Sequence, residues 1–309
     1  MNVKTQQMDG PTWGLLLILS ILWGGSFYFA KIAVGEIPPM TMTFSRVVLA
    51  GAILGGISLW RGGNVVPSLP MFGGFFVLGV IGNALPMSIM FWGQKANGAG
   101  LASILNASAP IFTVFAAHYF THDEKMTFPK VIGILIGFAG VITLIGPSVF
   151  KADHAILPEI AGLAAAALYG FTSIFGRRFT KWGAPAAQMA AGQLAFAGLA
   201  LLPFVLFFDR PWELPTPHAP AILSMLCLTI LSTAIAYLLF FRILVRAGAT
   251  NVMLVTLLVP VTAVLLGVLL LGEKLELRSL GGMVLIGFGL MAIDGRVLKS
   301  LNQRFRQSA

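Results

Sequence analysis

Ten stretches of about twenty largely apolar residues make up almost the whole 309-residue chain. Crossing a hydrocarbon core about 30 Å thick takes about 20 helical residues, and every backbone polar group must be paired inside the segment. The stretches fall at 13–33, 41–60, 71–92, 99–120, 128–147, 157–178, 186–208, 220–241, 250–271 and 278–294. Strands of a membrane barrel would be about ten residues long and alternating, so each stretch is expected to be a transmembrane helix. Only 10% of residues are charged, against roughly 25% in a soluble domain. Mean hydropathy is +0.89. Those values exclude a cytosolic enzyme and a DNA-binding protein, despite a net charge of +9. The longest connections, Gly146–Leu157 and Asp209–Ala219, leave no room for a soluble catalytic domain.

The first span is too long for a signal-peptide core and ends in Lys31 without a small-residue cleavage site, so it is expected to be retained. Lys and Arg set orientation. With the N-terminus cytoplasmic, thirteen of them fall on the inner side, six on the outer side, and Arg46 within a span. Both termini are therefore expected inside, with 1–12 and 295–309 as cytoplasmic tails.

The chain also matches itself at a shift of about 146 to 150 residues. Leu22–Lys31 (LWGGSFYFAK) meets Leu168–Arg177 (LYGFTSIFGR), and Pro39 meets Pro185. Gly98 meets Gly248, Pro110 meets Pro260, Asp123–Lys125 meets Gly272–Lys274, and Ile136–Phe138 meets Ile286–Phe288. Two units follow, 13–147 and 157–294, each of five helices. Five is odd, so the second unit starts on the opposite side of the membrane. Inverted repeats of this kind characterise secondary transporters, with a site at mid-depth where the halves meet. The expected fold is all-α, ten transmembrane helices as two inverted five-helix repeats around a central cavity.

LWGGSF in the first span, ASAPIFTVFAA in the fourth and LVPVTAVLLGVLLLGEKL through the ninth resemble the EamA family of the drug/metabolite transporter superfamily, over about residues 13 to 294. The resemblance implies a ten-helix basket in a bacterial inner membrane. Helices one, three, four, six, eight and nine would surround the cavity, with five and ten supporting it from behind. It also implies movement of amino acids and other small metabolites. The chain departs from the pattern after the fourth span, where THDEK stands in place of the Gly-Glu of LGEKL.

Several polar residues are candidates for substrate contact. Arg46 is the one charge well inside a span, and an arginine at a helix centre costs roughly 2.5–3.5 kcal/mol on the insertion scale. It either snorkels or bonds neighbouring carbonyls, or it anchors a substrate carboxylate. Pro110 and Pro260 interrupt matched spans, each one turn after a polar residue, Asn106 and Thr256, and Pro86 with Asn83 does the same in the third span. A proline inside a helix frees a carbonyl, which serves either a kink or a substrate. Trp23 and Ser26 in the first span, with Tyr169 and Ser173 in the sixth, form an aromatic-plus-hydroxyl pair repeated between halves, and Tyr237 adds a further ring. Gly133, Gly137 and Gly140 in the fifth span, and Gly282, Gly287 and Gly289 in the tenth, allow close helix approach and leave a homodimer open.

The eleven carboxylates all lie in loops or near span ends, whereas a proton relay keeps one in the membrane interior. Facilitative or exchange-type transport is expected, with export as the direction the family suggests. Neither a cofactor nor a metal is expected, since one cysteine and four histidines offer no ligand spacing. Nucleic acid is not expected as a partner; a small-molecule substrate and the bilayer are. The alternatives are a lipid flippase and an intramembrane enzyme, and the second lacks a Ser–His pair at catalytic spacing.

Overall fold

The computed structural model describes residues 8–60, 68–146, 156–183, 185–271 and 276–294, without the side chains at 97–100, 180, 181, 267, 270, 271 and 294. Glu273 and the C-terminal tail lie outside the described residues, as does most of the N-terminal one. Ten helical segments succeed one another: α1 (Gly10–Ala33), α2 (Pro39–Trp60), α3 (Leu69–Ala96), α4 (Leu101–Phe120), α5 (Phe128–Ile145), α6 (Ile156–Phe179), α7 (Ala186–Asp209), α8 (Ala219–Ala247), α9 (Ala249–Leu266) and α10 (Leu277–Ile293). The first nine are long and apolar enough to span; α10 is shorter. No strand occurs among the described residues.

The boundaries follow the apolar runs except in α3 and α8, which have 28 and 29 residues. At 1.5 Å per residue such helices are about 42 Å long, so their ends, with Lys95, Arg242 and Arg246, clear the hydrocarbon. Both helices contain a π-helical turn, Val80–Ala84 in α3 and Ile230–Ile235 in α8. These turns occupy matched places in the two halves, each after eleven α-helical residues. In each turn one side chain satisfies the carbonyl five residues back. Asn83 Nδ2 donates to Leu78 O (2.8 Å), and Thr233 Oγ1 donates to Leu228 O (2.8 Å).

The halves pack as an exchanged pair. α1 lies on α9 and α8, while α6 lies on α4 and α3; α2 pairs with α7 and α5 with α10. Two pairs give the relative direction. In α5 and α10, Gly133 lies against Gly289 and Gly140 against Gly282. In α2 and α7, Gly51 meets Leu194 and Gly198 meets Val48. Rising residue number in one helix meets falling number in its partner, so each helix runs antiparallel to its repeat-mate. That is the inverted arrangement. The contacts between α1 and α9, and between α6 and α4, repeat in detail. A Cβ on Gly24 would sit 2.2 Å from Thr262 Oγ1, and one on Gly170 2.9 Å from Thr113 N.

The glycine stripes serve packing within the chain. The backbone of Gly137 packs on Gly289 while its Cβ direction faces Leu257 of α9, and nothing lies within 4 Å of a Cβ on Gly287. A helix presents only one stripe to one neighbour, so Gly287 falls outside the contact that Gly282 and Gly289 make.

The carboxylates at the span ends act at helix N-termini, where orphan amides and the helix dipole favour negative charge. Asp9 Oδ1 accepts from Thr12 N (2.9 Å) at the start of α1, and Asp209 Oδ2 from Thr41 N (2.8 Å) at the start of α2. Glu36 Oε2 accepts from His218 N (2.7 Å) before α8, and that amide holds its carboxyl below the ordinary value. Glu124 is buried in the THDEK turn. Its two oxygens accept from Ala249 N (2.9 Å) and Thr250 N (2.8 Å), which open α9 after a corner at Gly248 (φ +88°). Arg177 at the end of α6 pairs with both Asp123 and Glu124. One half is thereby latched to the other at this end of the bundle.

Candidate functional site

At mid-depth the halves enclose a cavity of about 120 Å³, counted as the space open to the centres of water molecules. By that measure one water needs about 10–15 Å³, so the hollow holds on the order of ten waters, or one small metabolite. Of the residues singled out above, Trp23, Ser26, Arg46, Asn106, Tyr169, Tyr237 and Thr256 line it together. They come from α1, α2, α4, α6, α8 and α9, and α3 adds Gly82 and Phe91. Neither α5 nor α10 contributes, since their glycine faces are committed to each other. Two helices beyond the expected six reach the cavity: α2 through Arg46 and α7 through Gln193.

Asn83, Pro86, Pro110 and Pro260 are not among the lining residues. The prolines act at one remove. Each lacks an N–H for the carbonyl four residues back, and those carbonyls belong to Gly82, Asn106 and Thr256, all of which line the cavity. Pro110 also sits in the first turn of the helical piece that restarts after Ser108, rather than inside a continuous helix. Asn83 lies behind the wall, where its Oδ1 accepts a short hydrogen bond from Tyr237 OH. It therefore ties the π-turn of α3 to a cavity ring of α8. Asn83→Ala is expected to cost about 1–3 kcal/mol by leaving the buried Tyr237 hydroxyl and Leu78 carbonyl without their partners. Thermal unfolding of the detergent-purified variant checks it, and Asn83→Asp, which keeps an acceptor for Tyr237, should lose less.

Arg46 is 6% exposed, so it does not snorkel to the interface. It crosses to the π-turn of α8, where Nη2 donates to Ser232 O (3.0 Å) and Nε to Thr233 Oγ1. The Phe91 ring lies 5.7 Å from its guanidinium carbon, within cation–π range. Trp23 Nε1 donates to the same Ser232 carbonyl (3.2 Å), and Ser232 Oγ donates to Leu22 O (2.7 Å). The widened turn of α8 thus holds the guanidinium and the indole side by side. No ion pair among the described residues involves Arg46.

Most hydroxyls around the cavity are satisfied by their own helix. Ser26 donates to Trp23 O, Ser173 to Gly170 O and Thr256 to Met253 O. Gln94 bridges helices, its Nε2 donating to Phe27 O (2.9 Å). Gln193, not among the residues singled out above, has its Nε2 buried without a partner at the cavity wall. It occupies the place in α7 that Arg46 occupies in α2, a signal present in the internal repeat. Among the described residues no group of three or more His, Cys, Asp or Glu could hold a metal.

An all-helical bundle of two inverted halves around a hollow at mid-depth, lined by apolar and aromatic side chains with a few polar ones, is the architecture of a membrane carrier. The EamA-like transporter family model matches twice, at residues 12–146 and 156–293. The chain belongs to that family. It is 28% identical over 286 residues to an uncharacterized transporter of Archaeoglobus fulgidus, covering 90% of this chain and 96% of the relative. It is 29% identical over 284 residues to the uncharacterized inner membrane transporter YedA of Escherichia coli (strain K12), covering 89% and 88%. An S-adenosylmethionine/S-adenosylhomocysteine transporter of Chlamydia trachomatis is 29% identical over 306 residues, covering 95% and 90%. A crystal structure with 21% identity superposes with a TM-score of 0.75 over 94% of this chain and 98% of the other, and so shares the fold. The chain is a multi-pass membrane transporter.

Proposed function

We propose that this protein is a secondary transporter of the bacterial inner membrane that exports small metabolites, amino acids or amphipathic compounds, by alternating access. Both termini are cytoplasmic in this reading, which places the Asp123–Arg177–Glu124 latch at the cytoplasmic end. The two units are 13–147 and 157–294. The observation that carries the proposal is the shared cavity, to which α1 contributes Trp23 and Ser26 and α6 contributes Tyr169 and Thr172 from repeat-related positions. Two antiparallel halves bearing the same elements can exchange conformations, which opens the hollow to one side and then the other. The chlamydial relative that carries S-adenosylmethionine and S-adenosylhomocysteine supports a substrate of that general size.

Coupling is facilitative or exchange-type, and catalysis plays no part. In support, the described carboxylates nearest the bundle ends are occupied as helix caps or in ion pairs, and none lines the cavity. The test is counterflow in proteoliposomes preloaded with an unlabelled amino-acid mixture. A transient overshoot of external labelled amino acid is expected, without acidification or alkalinisation of an internal dye. Trp23→Ala combined with Tyr169→Ala should cut the initial rate at least tenfold. Absence of counterflow together with scrambling of labelled lipid would favour the flippase reading.

A further inference from the structure

The cavity gathers side-chain hydrogen-bond donors without protein partners around one positive charge. Among its lining residues Arg46 is the only charged side chain. Two of its nitrogens are spent on the α8 turn, and Nη1 makes no hydrogen bond among the described residues. Three further polar side chains from three different helices line the same hollow without a side-chain hydrogen bond among the described residues: Asn106 of α4, Tyr169 of α6 and Gln193 of α7. The Gln193 amide nitrogen is the sharpest of these, since it belongs to a side chain 3% exposed and has no partner. A buried donor left unpaired is costly, and a buried cation without a counter-charge costs more. Both costs fall when an acceptor-rich anion enters. An ammonium would find no carboxylate there. Around the charge stand the rings of Trp23, Phe91 and Phe240, with Trp23 and Phe240 centroids 5.8 Å apart, a wall suited to an apolar body.

We infer that the substrate is an organic monoanion, whose carboxylate or equivalent group is held by Arg46 with Gln193, Asn106 and Tyr169 donating to it, and whose apolar body lies on the aromatic wall. This rests on the carrier reading above and narrows it. The loaded site is then electrically neutral and the empty one carries an unpaired guanidinium, which is expensive to reorient through an occluded state. Exchange of one anion for another is therefore favoured over return of the empty carrier.

Three probes with the same ring and different charge test the assignment on the purified full chain: phenylacetate, phenylethylamine and phenylethanol. A bound ligand raises the unfolding temperature by an amount that grows with the logarithm of one plus its concentration over Kd. Phenylacetate is expected to stabilise the protein with that logarithmic concentration dependence, and the other two are not. Arg46→Gln should raise at least tenfold the phenylacetate concentration needed for a given shift, and Arg46→Lys less. Gln193→Leu should stabilise the empty protein, because it removes an unpartnered amide, and yet weaken phenylacetate several-fold. That combination distinguishes a ligand contact from a folding defect and survives if Arg46→Gln fails to fold. Stabilisation by phenylethylamine or phenylethanol, by phosphatidylglycerol micelles but not phenylacetate, or by none of them, overturns the anion assignment. So does phenylacetate stabilisation that both Arg46→Gln and Gln193→Leu leave unchanged. Phenylacetate that binds through Arg46 but shows no counterflow in proteoliposomes would leave the anion site standing and remove the carrier reading.

Discussion

Replacing Gly289 with leucine is expected to abolish accumulation of the folded protein. A Cβ at that position would sit 2.5 Å from Gly133 O and 2.6 Å from Gly137 N. Both are backbone atoms of α5, which cannot rotate away as a side chain can, so α5 and α10 must separate along their length. Overpacking a well-filled interface costs typically about 1–3 kcal/mol and at times more. Here the first carbon already clashes before the rest of the leucine is added. In lipid, helix association rests on close packing rather than on the hydrophobic effect, so a separated pair has little to fall back on. Size-exclusion profiles of the solubilised protein check this, with the monodisperse peak lost. Gly287→Ala in the same helix, where a Cβ meets nothing within 4 Å, should leave the profile unchanged and gain helix propensity.

Glu124→Ala is expected to destabilise the protein by roughly 2–5 kcal/mol, since it strips the acceptor from two buried amides and one arm from an ion pair. Ala249 N and Thr250 N lose the acceptors that Glu124 supplies, while Arg177 keeps Asp123. Glu124→Gln retains an acceptor oxygen and should lose about half as much. Thermal unfolding in detergent measures both. The same residue joins the end of α4 to the start of α9, across the two halves. A carrier that opens at this end must break that join, so Glu124→Ala should also speed labelling, from this side, of a cysteine placed at Gly176 in a Cys227→Ser background. Unchanged labelling with a lowered unfolding temperature would make Glu124 a cap and no gate.

The sequence departure at THDEK pointed toward Glu124 without showing what it does. The reason is distance along the chain: its partners Ala249 and Thr250 lie 125 and 126 residues away. Arg46 illustrates the same limit. Its cost inside a span announces that it needs a partner, but Thr233 is 187 residues distant and reaches it only because α8 widens into a π-turn. Such a turn changes hydrogen-bond ring size without changing apolar periodicity enough to register. The prolines at 86, 110 and 260 were legible as interruptions. The carbonyls they free belong to Gly82, Asn106 and Thr256, and that these residues line one cavity depends on helix rotations the sequence does not record. Gln193 stood at the repeat position of Arg46, yet nothing local distinguished an amide that bridges helices from one left facing a hollow.

The number of spans, their approximate ends, the fivefold division and the inverted sense of the halves followed from the amino-acid order alone. Hydrocarbon imposes one length and one hydrogen-bonding solution on every segment, and an odd number of crossings reverses the copy. Which face of each helix meets the hollow, which glycines touch and which donors stay unpaired were decided only in three dimensions. Those depend on rotations of about 100° per residue and on neighbours brought together from opposite halves, and no local pattern records them.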